Sequence, residues 1–139
     1  MKKNTKIILI IFISLIILSV AFLVLTLFNS SRSPEEVDTR RISDLRQINL
    51  ALEMYYDDHK IYPKKLEELE AGDSPYITKV PVDRISSKSY DYGTNQDNKF
   101  YILKAVLDDK SRGALKNDMD GKIFGIDCND PAYCIDENY

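Results

Sequence analysis

Residues 33–63 read SPEEVDTRRISDLRQINLALEMYYDDHKIYP, and the reading of this stretch decides the fold. Ser33 suits a helix N-cap, Pro34 suits the first helical position, and Glu36 at the third can complete a capping box. Behind that start, Ile42, Leu45, Ile48, Leu52, Tyr55 and Tyr56 recur at steps of three and four, the period of one helix face. Arg40, Ser43, Arg46, Gln47, Glu53 and Asp57 fall mostly elsewhere, which makes the other side wet. Asp57-Asp58-His59-Lys60 ends the periodicity, and Pro63 restricts Tyr62 to an extended or turn conformation. A spine helix over 34–59 is predicted, with its apolar stripe set against something flat.

Toward the N-terminus the chemistry changes. Ile7 to Phe28 is 22 residues without charge, Gly or Pro, interrupted only by Ser14, Ser19 and Thr26. As a helix it spans roughly 33 Å, enough to cross a hydrocarbon core of roughly 30 Å. Lys2, Lys3 and Lys6 precede it, so the positive-inside rule holds residues 1–6 in the cytoplasm and sends residues 29–139 across. A cleaved signal peptide also begins with lysines, but its apolar region usually has about 7 to 15 residues and ends at a small-x-small site. Here the run continues through Leu25, Leu27 and Phe28, and Asn29-Ser30-Ser31 offers a poor cleavage site, so 7–28 is read as a transmembrane anchor. Ser30 to Ser33 form a polar joint between the two helices. The expected location is a single-pass plasma membrane protein with an extracytoplasmic C-terminal domain.

Residues 29–139 have the usual size of one domain. All 22 acidic residues but only 16 of the 19 basic ones lie there, a formal net charge of −6. Lys and Arg are scattered among carboxylates, so no nucleic-acid partner is expected. Leu66 and Leu69 suggest a short helical turn within 63–71, closed by Gly72. Prolines 75 and 81 mark a loop that Tyr76, Ile77, Val80 and Val82 tack onto the core. The second half switches to the period of a strand. Ser89 to Tyr92 alternates, Gly93 to Asn98 supplies turn chemistry, and Phe100 to Leu107 is aromatic and aliphatic, which reads as a β-hairpin. A third strand is placed at Lys122–Ile126 after the Asp120-Gly121 turn pair. The expected architecture is α+β: a helix from Pro34 covering one face of a small antiparallel sheet over 89–127, then a tail over 128–139.

Asp44 to Pro63 resembles the spine helix and exit of bacterial type IV pilins and major type II secretion pseudopilins, in which an acidic-Leu pair, Ile, Ala-Leu, one or two Tyr and a polar turn lead to Tyr-Pro. The likeness is close over about twenty residues, and the order of anchor, helix, loop and sheet extends it loosely to the whole chain. It implies a helix half embedded in lipid and half packed on a sheet, a C-terminal region closed by a disulfide or by calcium, and partners among other pilin-like subunits or secretion and pilus assembly proteins. The chain departs from the family at its N-terminus. No Gly precedes the apolar segment, since the first is Gly72, and the first acidic residue is Glu35, so the peptidase site and the glutamate of prepilins have no counterpart.

Cys128 and Cys134 are the two cysteines, and outside the cytoplasm such a pair usually forms a disulfide. Five residues lie between them, and so short a closure contributes roughly 2 kcal/mol. Metal binding by the pair lacks further ligands, because His59 is the one histidine. Asp118, Asp120 and Asp127 concentrate hard oxygens near a Gly turn, which makes calcium the one cofactor to weigh against a solvated turn. An EF-hand would place an oxygen donor at Lys116 and a bidentate Glu at Asp127, so the spacing does not fit that loop. His59, beside Asp57 and Asp58, stands where a helix C-terminus offers free carbonyls, so capping is preferred to catalysis. No Gly-x-Ser-x-Gly, phosphate loop or zinc motif occurs, and a non-enzymatic role is expected. The nine tyrosines concentrate in the middle of the chain and read as a small core with wet hydroxyls, against a sugar- or surface-binding patch.

The expected function is therefore a pilin-like or pseudopilin-like subunit or accessory of a type IV pilus or type II secretion type of apparatus. A membrane-tethered ligand-binding or sensory domain that forms no filament is the alternative.

Overall fold

A computed structural model describes residues 2–28 and 33–138, with side chains over 7–25 and 33–138. Residues 30–32 of the expected polar joint, the Asn29-Ser30-Ser31 site and the side chains of Lys2, Lys3 and Lys6 lie outside the described residues. The chain divides into two units, Met1–Arg32 and Ser33–Tyr139.

In the first unit, α1 (Lys2–Phe28) contains the stretch Ile7–Leu25, of mean hydropathy 3.4, which is long and apolar enough to cross a membrane. Along the described side chains, Ile7–Leu25, every side of the helix is apolar apart from Ser14 and Ser19. The Ser14 and Ser19 hydroxyls donate back to the carbonyls of Ile11 and Ile16 at 2.8 Å, so both donors are satisfied within the helix.

In the second unit, α2 (Pro34–His59) starts as its sequence requires: the Ser33 hydroxyl accepts from the Glu36 N–H at 3.2 Å, with Pro34 in the first turn. Lys60 closes it in the left-handed region (φ 59°), donating its N–H to the Tyr56 carbonyl at 2.7 Å. Ile42, Leu45, Ile48, Ala51 and Leu52 are buried, and Tyr55 and Tyr56 pack half-buried at the edge of the same core. A short 3₁₀ helix follows at Leu66–Glu70, with both leucines buried.

Three strands form the sheet that α2 covers, in the order β1 (Asp91–Thr94), β2 (Tyr101–Val106), β5 (Ala132–Ile135), all antiparallel. Asp91 pairs with Lys104 and Thr94 with Tyr101 on one side of β2, and Leu103 pairs with Ile135 and Val106 with Ala132 on the other. Because strand side chains alternate, Tyr101, Leu103, Ala105 and Leu107 meet α2, whereas Ile102 joins a second, smaller cluster with Cys128, Ala132 and Cys134 on the far face.

Here the structure corrects the sequence reading. The segment expected to be one strand at 122–126 is a separate two-stranded hairpin, β3 (Lys122–Ile123) and β4 (Ile126–Asp127), turned at Phe124-Gly125. Both turn residues have positive φ, 47° and 87°, which suits glycine and strains phenylalanine, so the sequence carries no ordinary turn signal there. The third strand of the sheet instead comes from 132–135, inside the segment read as a tail. Gly93 on β1 lets the hairpin approach, since a Cβ there would stand 3.2 Å from both the Ile126 side chain and the Phe124 carbonyl. Val82, expected to tack the preceding loop to the core, is exposed and bridges Ser89, while Val80 is buried as expected.

Candidate functional site

Three charged residues lie on the buried face of α2, where the sequence reading placed only apolar ones: Asp38, Arg41 and Asp44. Asp38 is fully buried, and its carboxylate accepts from the Asp108 and Asp109 backbone N–H groups and from the Arg41 guanidinium, each at 2.9 Å. Arg41 also meets Asp83 at 2.5 Å and Asp108 at 3.1 Å. Burial works to lower the Arg41 pKa, but its bonds to Asp83 and Asp38 outweigh burial and raise it. Burial likewise opposes ionisation of Asp83, yet the Ser86 N–H and the Arg41 guanidinium bring its pKa down to about 2. Asp44 pairs with Arg40 at 3.0 Å and accepts from the Tyr90 hydroxyl at 2.8 Å, and burial together with that carboxylate raises the tyrosine pKa. One hub therefore ties the first turns of α2 to the loops at 83–88 and 107–109. Charges this deep persist because each has partners, and removing one withdraws a partner from the groups it bonds.

Beside the hub runs a groove of about 750 Å³ between α2 and the 109–114 segment, lined by Glu35, Thr39 and Arg46 on one wall, Asp109 and Arg112 on the other, and Tyr133. Arg112 spans it, donating to the Glu35 carbonyl at 3.3 Å and to the Thr39 hydroxyl at 2.7 Å. Its lining mixes both signs of charge with hydroxyls and holds no histidine or cysteine, so it suits a small polar ligand better than nucleophilic chemistry.

The described tyrosines lie in the core or pack against it, and several of their hydroxyls are bonded to protein rather than left wet. Tyr62 donates to Glu53 at 3.0 Å, Tyr76 to Asp58 at 2.7 Å, Tyr92 to the Pro63 carbonyl at 2.8 Å, and Tyr101 to Asn49 and to the Asp136 carbonyl. Their rings join in contacts such as Tyr56 with Tyr62 and Tyr62 with Tyr101, both at 4.7 Å between centroids. The Tyr62-Pro63 exit is fixed by these contacts and by the Tyr62 N–H donating to the Asn98 carbonyl at 2.7 Å. His59 stacks on Tyr55 at 4.0 Å, and its Nδ1 lies 3.0 Å from the Tyr55 carbonyl in the last turn of α2.

Cys128 and Cys134 form a disulfide, both sulfurs buried. It joins the residue after β4 to the edge strand β5 of the main sheet, so the bridge ties the small hairpin to a paired, buried strand rather than to a loose end. The three candidate calcium ligands are engaged separately. One Asp118 oxygen accepts from the Cys134 N–H at 2.9 Å, the other is buried without a bonded partner, and burial raises the pKa of this carboxyl. Asp127 accepts from the backbone and side chain of Asn129 at 3.1 and 2.7 Å, which lowers its pKa. Asp120 is exposed. Among the described residues no group of three or more His, Cys, Asp or Glu side chains is placed to hold a metal ion.

No protein-family model, curated protein or solved structure matches the chain.

Proposed function

We propose that this chain is a non-catalytic, pilin-like or pseudopilin-like structural subunit or accessory of a type IV pilus or type II secretion type of apparatus, held in the plasma membrane by α1 with its N-terminus cytoplasmic. The observation that carries the reading is the divided surface of α2. One side is buried on β2, and the opposite side is an exposed stripe through Glu36, Arg40, Ser43, Gln47, Leu50, Met54 and Asp57, with Leu50 64% and Met54 48% exposed at its centre. Such a stripe, on a helix that follows an apolar anchor, suits lateral packing against other helices. Pilin-like subunits and assembly proteins are the corresponding partners.

The test uses the full chain in its own membranes. A cysteine at Leu50 or Met54 is the sole free thiol, because the native pair is bonded. We expect it to cross-link to a second pilin-like subunit and the protein to appear in sheared fibres. A cross-link-free chain that stays wholly in the membrane after shearing overturns the proposal. The groove beside Arg46 and Arg112 favours a second reading, a tethered ligand-binding domain. A soluble polar ligand that raises Tm, with the effect lost in Arg112→Ala, would support it over the first.

A further inference from the structure

The groove beside the hub has an axis and two unlike ends. Glu35, Thr39, Ile42 and Arg46 follow one another at steps of four, three and four, so they form one stripe of α2. Glu35 and Arg46 therefore stand about 16 Å apart along the helix. The opposite wall is fastened at the Glu35 end, where Arg112 donates to the Glu35 carbonyl and the Thr39 hydroxyl. Asp109 belongs to the same end, and the Ser111 hydroxyl and N–H donate to one of its oxygens at 2.7 and 2.9 Å, which lowers its pKa and keeps it ionised. Glu35 and Asp109 against Arg112 leave one negative charge there, whereas Arg46 is the one charged side chain lining the other end. The hub behind the first end adds to its negative field, because Arg41 alone faces Asp38, Asp83 and Asp108. Lys110 is exposed between Asp109 and Ser111 but does not line the groove.

Between the ends the lining turns apolar. Ile42 and Tyr133 are buried members of the core, and Ala114 packs against them. Gly113 keeps the wall open, since a Cβ there would meet nothing within 4 Å. A single small zwitterion holds its two charges too close together to reach both ends. An extended peptide rises about 3.3 Å per residue, so roughly five residues match the distance from Glu35 to Arg46. The volume of about 750 Å³ also lies within the range of ligand pockets.

We propose that the groove between α2 and the 109–114 segment takes an extended peptide segment of about five residues, with a basic side chain at Glu35 and Asp109, an acidic one at Arg46 and an apolar middle on Ile42 and Tyr133. This rests on the reading of the groove as a ligand site and names the class of its ligand. The probe is the blocked pentapeptide acetyl-Lys-Ala-Leu-Ala-Glu-amide, titrated calorimetrically into the full chain in neutral detergent beside the versions with Lys at both ends or Glu at both ends. The native chain is expected to bind the mixed-charge probe roughly tenfold more tightly than either like-charged one. Arg46→Glu should transfer that preference to the probe with two lysines, a switch that a merely damaged fold does not produce. Gly113→Leu should abolish binding with little change in Tm, because its side chain enters open space in the groove. Equal binding of the three probes, no binding of any, no switch in Arg46→Glu, or full binding in Gly113→Leu overturns the proposal. If no probe binds while a small polar ligand raises Tm through Arg112, the peptide is overturned and the ligand site stands. If no such ligand acts either, both fall together.

Discussion

The Arg41 guanidinium meets the Asp83 carboxylate at 2.5 Å across 42 positions of sequence, and Asp38, one turn before Arg41, joins the same hub. This arrangement makes the first turns of α2 the place where the helix is keyed to the loops beyond the sheet.

Replacing Asp38 tests the hub most sharply, because its one carboxylate bonds both the Arg41 side chain and the Asp108 and Asp109 N–H groups. Asp38→Ala takes one of three carboxylates from Arg41 and leaves the part-buried Asp108 and Asp109 N–H groups without that acceptor, and we expect a loss of about 2–3 kcal/mol. Asp38→Asn retains part of the bonding and should lose less. Urea unfolding of the full chain in detergent, followed by near-ultraviolet circular dichroism of the tyrosines, measures both. Equal, small losses would show that the hub does not hold the loops.

Asp83 gives the hub a pH dependence of known sign. Its pKa is lowered from 3.8 unfolded to about 2 folded, so the ionised form favours the native state. The stabilisation is fully present above 3.8 and is lost as pH falls through about 2. We expect the Tm difference between the native chain and Asp83→Asn to be largest at neutral pH and to close across that window. A difference that stays constant down to pH 2 contradicts the assignment.

Phe124 occupies a left-handed turn position that L side chains other than Asn and Asp tolerate badly. Phe124→Asn should therefore stabilise the fold by about 1 kcal/mol, raising Tm by a few degrees, whereas Phe124→Ala should give no such gain. If both variants destabilise the protein alike, the phenyl ring is held by packing worth more than the backbone strain.

Calcium is expected to leave Tm unchanged at millimolar concentration, since Asp118 and Asp127 are each bonded to nearby backbone and no three-ligand group forms among the described residues. A rise that is abolished by Asp118→Ala would show that the 118–127 segment rearranges around the ion.

Much of the architecture was legible because it is written in local periodicity. The 3.6-residue stripe of Ile42, Leu45, Ile48 and Leu52, the Ser33-Pro34 start and the run Ile7–Phe28 give two helices, and alternation about a polar turn gives the β1–β2 hairpin. His59 and the two cysteines also lie as their chemistry and spacing suggest. The hub was not legible. Asp38, Arg41 and Asp44 look like residues of a wet face, and what buries them is a set of partners 42 to 71 residues away, or in the case of Asp44 the hydroxyl of Tyr90.

The sequence by itself determined which segments are helical or extended and which of their faces are apolar, since steric preference and side-chain period act over a few residues. Only the tertiary structure decided that 132–135 completes the sheet, that Phe124-Gly125 folds a separate hairpin, and that three charges sit inside. Strand partners and ion pairs are chosen by proximity in space, where burial strengthens a correct match and penalises an unpaired group, and that proximity exists only once the chain has folded.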